Sequence, residues 1–505
     1  MREWKAIATA GFVCALAALP VAGATCESLS SLVLPHAAIT TAQAIAAGNF
    51  SGAATAAAVN AGFQDLPAFC RVAVMLAPSA DSQIKFELWL PLAGWNGNFE
   101  ANGNGGWSGS ISSATLAEGL RRGYAASMSD LGHEGASGVF ALGHPEKLID
   151  FGYRAAHEMA VAAKLIINSY YGKAPKFSYW TGCSAGGRSA MMEAQRYPDD
   201  FDGIVAGSPG LNWTGRSLLS VWVAQASHHS DAAYIPPAKY PLIHAAAIEK
   251  CDAADGLKDG IIEDPARCEF DPKELERKGP DSASCLTADQ VATARAIYGP
   301  VSNPRTGAAI VPGFERGSEN GWATMGGPQI FGLGADLFRF VVYRDPNWDY
   351  QTFRFDSDLT LTLKPAAQIL NAMDPDLKPF LKRGGKLIQY HGWADPQIAP
   401  ATSVEYYQSV LDALGGAKNV ESGYRLFMVP GMAHCRGGDG TSNFDMLAAL
   451  EKWVEKGTAP DQVPASRIRD GKVDRTRPLC PYPQVATYQG KGSIDDAANF
   501  VCRAR

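Results

Sequence analysis

The stretch YWTGCSAGGRSA, Tyr179 to Ala190, decides how this sequence folds. Within it Gly182-Cys183-Ser184-Ala185-Gly186 fits G-x-S-x-G, with strand-like residues before it and helix formers after it, which is the setting that motif needs. The glycines leave room at a strained strand-to-helix turn, so the Ser184 hydroxyl projects clear of a sheet while helix-start amides lie where negative charge will develop. A thiol directly beside a candidate nucleophile is unusual, and Cys183 needs a reason.

Outward from that turn, KFSYWTG reads as the strand and GRSAMMEAQRYP as the helix, stopped by Pro198. Upstream, IKFELWLPL (Ile84 to Leu92) alternates as a strand and the Gly-rich turn NGNGGWSG follows soon after. AAHEMAVAAKLIINSYYG (Ala155 to Gly172) carries apolar residues at helical spacing and stops at a glycine. Strand, helix, strand, sharp turn and helix in succession is α/β order. From about Asn212 to Gly384 the texture changes: Trp, Pro and Gly are more frequent, and one clear helix lies near LTADQVATARAIYG. Alternation then resumes with GKLIQYHGWADP, SVEYYQSVLDAL, YRLFMVPGMAHC and FDMLAALEKWVEKG. The expectation is one α/β domain built from residues 25–211 and 385–505, with residues 212–384 inserted.

The chain has 505 residues, 46% hydrophobic and 19% charged, with a net charge of −6 and no long like-charge block. Disorder and a nucleic-acid-binding tail are both poorly served by such a composition. The first residues supply Arg2 and Lys5, then an apolar run from Ala6 to about Leu19, then Ala22-Gly23-Ala24. That is the layout of a secretory signal peptide cleaved after Ala24, and the apolar run is shorter than the ~20 residues a bilayer span needs. The mature protein is expected outside the inner membrane, secreted or periplasmic, with no membrane or nucleic-acid partner. Of ten cysteines, Cys14 leaves with the signal, so nine remain and one must be left over.

A hydroxyl needs a base to remove its proton, and the base needs an acid to hold it in one tautomer. In chain order these follow the serine as acid, then histidine. HGWADP supplies Asp395 just after the strand KLIQY, and VPGMAHC supplies His434 just after YRLFMV, so both sit at carboxyl ends of strands, on the sheet edge that carries Ser184. This gives Cys183 its reason. Cys183 precedes Ser184 and Cys435 follows His434, so a serine and histidine in contact make the two cysteines neighbours. A disulfide there would clamp the catalytic pair and, by chain entropy, stabilise the fold by about 4–5 kcal/mol.

GCSAGGRSAMMEAQRYPDDFDGIVAGSPG together with HGWADP and PGMAHC resembles the tannase and feruloyl esterase family, and the likeness runs to the closing RPLCPYPQVATYQGKGSIDDAANFVC. The resemblance implies a secreted α/β-hydrolase fold with a large inserted lid domain, Ser184 as nucleophile, Asp395 as the orienting acid and His434 as general base and acid. It also implies the Cys183–Cys435 disulfide. Oxyanion donors are expected at the Ala185 amide and, by analogy with the early-strand loop of such folds, at Gly105 or Gly106. His391 resembles a substrate-contacting histidine of the family, and Trp393 is expected to line the same pocket.

In CDAADGLKDGIIEDPARC, Asp252, Asp255 and Asp259 crowd into one turn-rich loop, and such carboxylates repel unless a cation sits among them. The family likeness implies a structural Ca²⁺ here, completed by the carbonyls of Leu257 and Ile261, with the loop bracketed by a Cys251–Cys268 bond. Cys26 with Cys70 and Cys480 with Cys502 complete the expected pairs. Cys285 then has no partner in ELERKGPDSASC, and is expected as a free thiol or in an intermolecular bond. The function implied is hydrolysis, without a catalytic cofactor, of small esters of aromatic acids such as ferulates, gallates or quinate esters. Mono(hydroxyethyl) terephthalate hydrolysis is an alternative within the family, and a non-catalytic phenolic-binding protein of the same fold is another outside it. The lid residues Arg339 and Arg344 are candidates to meet a substrate carboxylate.

Overall fold

The computed structural model describes residues 24–51, 62–278, 281–363 and 365–504. The expected signal segment, Ala24 apart, lies outside them. Seven strands precede the insertion: β1 (Ala37–Ile45), β2 (Phe69–Leu76), β3 (Ile84–Pro91), β4 (Phe99–Asn102), β5 (Ala125–Ser129), β6 (Ser178–Cys183) and β7 (Gly203–Gly207). Inside the insertion a short ribbon pairs β8 (Val301–Ser302) with β9 (Ala309–Val311). After it come β10 (Lys386–Gly392) and β11 (Tyr424–Val429), then the antiparallel pairs β12 (Val463–Arg469) with β13 (Lys472–Leu479) and β14 (Gln484–Tyr488) with β15 (Phe500–Ala504).

One nine-stranded sheet runs in the order β1-β2-β3-β5-β4-β6-β7-β10-β11. From β5 to β11 every pairing is parallel, whereas β1, β2 and β3 join antiparallel. Burial follows the same division. β7 (GIVAG) is buried at all five positions and β10 at nearly all, as parallel strands covered on both faces must be, while β2 alternates buried and half-buried residues. The helices Ala155–Tyr171 and Ala185–Arg196 pack into the main core, and Met446–Lys456 covers the opposite face with Leu447, Leu450 and Trp453. Gly172 ends its helix in the left-handed conformation at φ 69°, as its place after the last periodic residue predicts.

The expectation of one clear helix in the insertion is corrected. Helices also span Trp213–His228 and Tyr240–Cys251. Twelve of the sixteen residues in Trp213–His228 are buried, so the helix has no polar face to give it a period. Ala288–Tyr298, the helix the sequence did mark, starts on a Thr287–Gln290 capping box. Residues from Leu218 to Phe355 gather a core of their own, but Ala366, Leu370, Ala372, Leu377 and Phe380 pack into the core of the main sheet.

Candidate active site

β6 delivers Ser184 into the helix Ala185–Arg196 through a tight turn, with φ 64° and ψ −118° at the serine. A non-glycine residue holds such a conformation only when its surroundings impose it, at a cost of about 1–3 kcal/mol. Here Ser184 N–H donates to the Gly207 carbonyl at 2.9 Å, and its own carbonyl accepts from Arg188 N at 3.0 Å and Gly210 N at 3.1 Å. The flanking glycines are sterically required. A Cβ on Gly182 would lie 2.5 Å from the Gly186 oxygen, and one on Gly186 would lie 2.9 Å from the Gly103 carbonyl carbon.

Asp395 follows β10 and His434 follows β11, so acid and imidazole leave neighbouring strands at the edge where β6 ends. His434 Nδ1–H donates to Asp395 Oδ2 at 2.6 Å. Asp395 is fully buried, and its carboxylate is saturated: Oδ2 also accepts from His391 Nε2 at 3.1 Å, while Oδ1 accepts the amides of Gln397 at 2.8 Å and Ile398 at 3.0 Å. Burial alone would raise this carboxyl, but the His434 charge and the bonds from both imidazoles outweigh it and hold the group well below the usual carboxylate range. Asp395 therefore stays ionised. Cys183 and Cys435 are joined, with Cα atoms 6.1 Å apart across 252 positions of chain. That bond ties the backbone beside Ser184 to the backbone beside His434; among the described residues no hydrogen bond joins the side chains of Ser184 and His434.

Around the elbow, Gly103 N–H is spent on the Thr181 carbonyl at 2.9 Å, which leaves the next amides of that loop as the candidates for an oxyanion. The loop is braced by Asn104 Nδ2, which donates to the carbonyls of Ser110 and Ser129. Gly106 (φ 56°) lies beneath the lid residue Leu333.

Two expected substrate contacts are placed elsewhere. His391 is fully buried with both ring nitrogens engaged, Nε2 by Asp395 and Nδ1 by the Ser403 hydroxyl at 2.7 Å. It braces the acid, and neither ring nitrogen is left free for a ligand. Trp393 is buried against a small cavity walled by Ile261, Met428, Pro430 and Arg477, which neither Ser184 nor His434 lines, because its amide bonds the Val429 carbonyl and turns the ring toward the acidic loop. Ser403, which orients His391, carries no sequence signal at all. Arg339 is half-buried and Arg344 is exposed.

The remaining expected disulfides, Cys26–Cys70, Cys251–Cys268 and Cys480–Cys502, are all formed. Cys285 is a free, buried thiol. In the acidic loop, Asp252 Oδ1 accepts the amides of Asp259 and Ile261 and its Oδ2 that of Gly260, while Asp255 accepts from Leu257 N. Asp259 Oδ2 meets Arg477 and Arg475. Among the described residues no group of three or more His, Cys, Asp or Glu side chains is gathered as a metal site. The donor chemistry still suits a hard cation: the Asp255 carboxyl is raised first by burial and further by the charges of Asp259 and Asp252.

A mostly parallel sheet with a strained serine elbow after a central strand, and an acid and a histidine after two later ones, is the α/β-hydrolase design. The family model described as tannase and feruloyl esterase matches residues 70–503, and the chain belongs to that family. By that membership it is a carboxylic-ester hydrolase. It is 39% identical to an uncharacterized esterase of Xanthomonas campestris pv. campestris over 95% of this chain and 91% of that one. The crystal structure of feruloyl esterase B from Aspergillus oryzae superimposes with a TM-score of 0.88 at 31% identity, covering 95% of this chain and 99% of that one. Tannin acyl hydrolase from Aspergillus niger shares the fold, with a TM-score of 0.77 at 23% identity over 94% and 93% of the two chains.

Proposed function

We propose that this chain hydrolyses esters of aromatic acids through an acyl-enzyme on Ser184, with His434 as general base and acid and Asp395 as its orienting partner. The observation that carries the reading is the 2.6 Å bond from His434 Nδ1 to an ionised, saturated Asp395, in a loop bonded through Cys435 to the residue before Ser184. With Nδ1 holding the ring's proton, Nε2 is the free base. Ser184 Oγ gives its proton to His434 Nε2 as it attacks the ester carbonyl, and the imidazolium that forms is stabilised by Asp395. The tetrahedral oxygen is received by the amides of Ala185 and of Gly105 or Gly106. His434 then protonates the departing alcohol or phenol, and a water activated by the same ring releases the acid. Aromatic acyl groups are favoured by the family and by the feruloyl esterase relative, and by the Trp107, Phe151 and Trp213 cluster packed between sheet and lid.

Hydrolysis of a p-nitrophenyl ester by wild type and Ser184→Ala tests this, with a fall of about a thousandfold or more expected in the variant. Equal rates would leave only a phenolic-binding protein. The four disulfides support an exported protein, and among the described residues no helix is long and apolar enough to cross a membrane. For the loop of Asp252, Asp255 and Asp259, with the Leu257 and Ile261 carbonyls, the proposal is a structural Ca²⁺ that offsets carboxylate repulsion and takes no part in hydrolysis.

A further inference from the structure

The loop that follows β4 leaves its middle amides unspent. Gly103 N–H goes to the Thr181 carbonyl, and at the far end Ser108 and Gly109 donate to the carbonyls of Gly105 and Gly135 at 2.9 and 2.6 Å. Between them, among the described residues, the amides of Asn104, Gly105, Gly106 and Trp107 donate to no acceptor. Successive unspent amides make a concavity suited to an anion. Such a stretch has no ladder of its own to hold its shape, so its aim depends on contacts from outside it, and a small misplacement is costly to the chemistry.

Those contacts lead to the lid. On the side of the sheet, Asn104 is tied to Ser129, and buried His133, its ring stacked on Phe140, bonds the Trp107 carbonyl through Nε2 at 2.8 Å. On the side of the lid, Trp107 Nε1 donates to the Leu333 carbonyl at 2.9 Å, and the Leu333 side chain crosses Gly106, where a Cβ would come within 2.8 Å of its Cδ1. Three residues on, at the end of the lid helix Gly332–Asp336, Asp336 Oδ2 accepts from the Ser137 hydroxyl at 2.7 Å and from Gly138 N at 2.9 Å. Gly138 is wedged between the partners: a Cβ there would lie 3.2 Å from Asp336 Cβ and 3.3 Å from the Trp107 ring. The turn that Asp336 holds is therefore the turn on which Trp107 rests, and Gly109 pairs with Gly135 just before it. Among the described residues Asp336 meets no cation, so its half-buried carboxylate is committed to these two neutral donors, and bonds to a charged acceptor are the stronger kind.

We propose that Asp336 is a positioning residue for ester hydrolysis: together with Trp107 it makes the lid segment Leu333–Asp336 the clamp that aims the amides after Asn104 at the developing oxyanion. The inference rests on the reading of Ser184 as nucleophile and of Gly105 or Gly106 as the second oxyanion donor. Asp336 touches no reacting atom and acts only through the Ser137–Gly138 turn and the Trp107 ring. A single oxygen takes both of its bonds, so an amide side chain can keep the clamp closed, whereas Ala leaves Ser137 and Gly138 without their acceptor. Because the amides grip the carbonyl oxygen harder as it gains charge, loosening them should slow the chemical step more than it weakens substrate binding.

The test follows methyl ferulate hydrolysis by wild type, Asp336→Ala, Asp336→Asn and Trp107→Phe, with active sites counted by stoichiometric reaction with an organophosphate, so that misfolded molecules drop out of the rates. Asp336→Ala and Trp107→Phe are each expected to lower kcat by about ten- to a hundredfold with KM changed by no more than about twofold, and Asp336→Asn should keep most of the rate. A trifluoromethyl ketone analogue of the substrate, whose hemiketal oxygen would occupy the same amides, should bind more weakly to Asp336→Ala by a similar factor, while ferulate, which forms no such adduct, should inhibit as it does wild type. If the surviving Asp336→Ala molecules turn over at the wild-type rate, the residue only stabilises the fold and the proposal is overturned. It is overturned also if the ketone and ferulate weaken alike, which would make the segment a wall of the substrate site, or if Asp336→Asn is as slow as Asp336→Ala. Any of these results leaves a Ser184-dependent esterase standing. If Ser184→Ala equals wild type, the esterase reading fails and takes this one with it.

Discussion

His391 shows how much a single buried side chain adds to the acid. It takes the Ser403 hydroxyl on Nδ1 and gives Nε2–H to Asp395, so one of the four bonds that keep Asp395 ionised comes from a residue that touches no substrate. His391→Phe is expected to lower kcat by about tenfold with KM little changed, because Asp395 loses one of the donors that hold its carboxylate in place under His434. His391→Gln, which can still donate to Asp395 and accept from Ser403, should restore most of the rate. A Gln variant as slow as Phe would make the residue mere packing. The three residues proposed to react were legible as candidates because each sits in a turn with its own chemistry: glycines around Ser184, a strand end before Asp395, another before His434. His391 was legible as a histidine near the site but not in its orientation. A residue at a strand's end can face either layer, and only the position of Ser403 decides.

Among the elements, the lid is fastened by charge to the loop that carries His434. His244, on the helix Tyr240–Cys251, bonds Glu319 Oε2 through Nδ1 at 2.8 Å and Asp439 Oδ2 through Nε2 at 3.2 Å, and Asp439 lies in the loop that follows His434. Burial would lower this imidazole, but the bonds to Asp439 and Glu319 outweigh it and raise it from 6.5 to about 9. A raised histidine contributes its stabilisation fully below its ordinary value and loses it as pH climbs through the folded one. Unfolding free energy should therefore fall by on the order of 2 kcal/mol as pH rises from about 7 to about 10, and His244→Gln should remove most of that slope. Denaturant melts of both proteins at several pH values check it; parallel slopes would refute the latch. Elements of this region were also the least legible. The strands and helices of the main sheet alternate or repeat in the sequence, whereas Trp213–His228 is enclosed by both cores and shows no period to read.

At the scale of the molecule, the acidic loop joins parts of the chain distant in sequence. Asp259 meets Arg475 and Arg477 of β13, and Trp393, two residues before Asp395, packs into the cavity between that loop and the C-terminal strands. A cation held at Asp252, Asp255 and Asp259 would brace this seam. Chelation with EGTA is expected to lower the Tm by several degrees, with Ca²⁺ restoring it and Mg²⁺ doing so poorly, because the smaller ion demands stricter octahedral geometry. An unchanged Tm would dispose of the metal. Sequence reading reached the α/β plan and the cysteine pairs, but long-range salt links such as Asp259 to Arg477 leave no local pattern to find.

The bond between Cys183 and Cys435 also settles where such a molecule can be made well. In a thiol-rich cytosol the two sulfurs stay reduced, and the alignment of serine with histidine then depends on non-covalent packing alone. Material from that compartment is expected to keep its shape longer than its turnover.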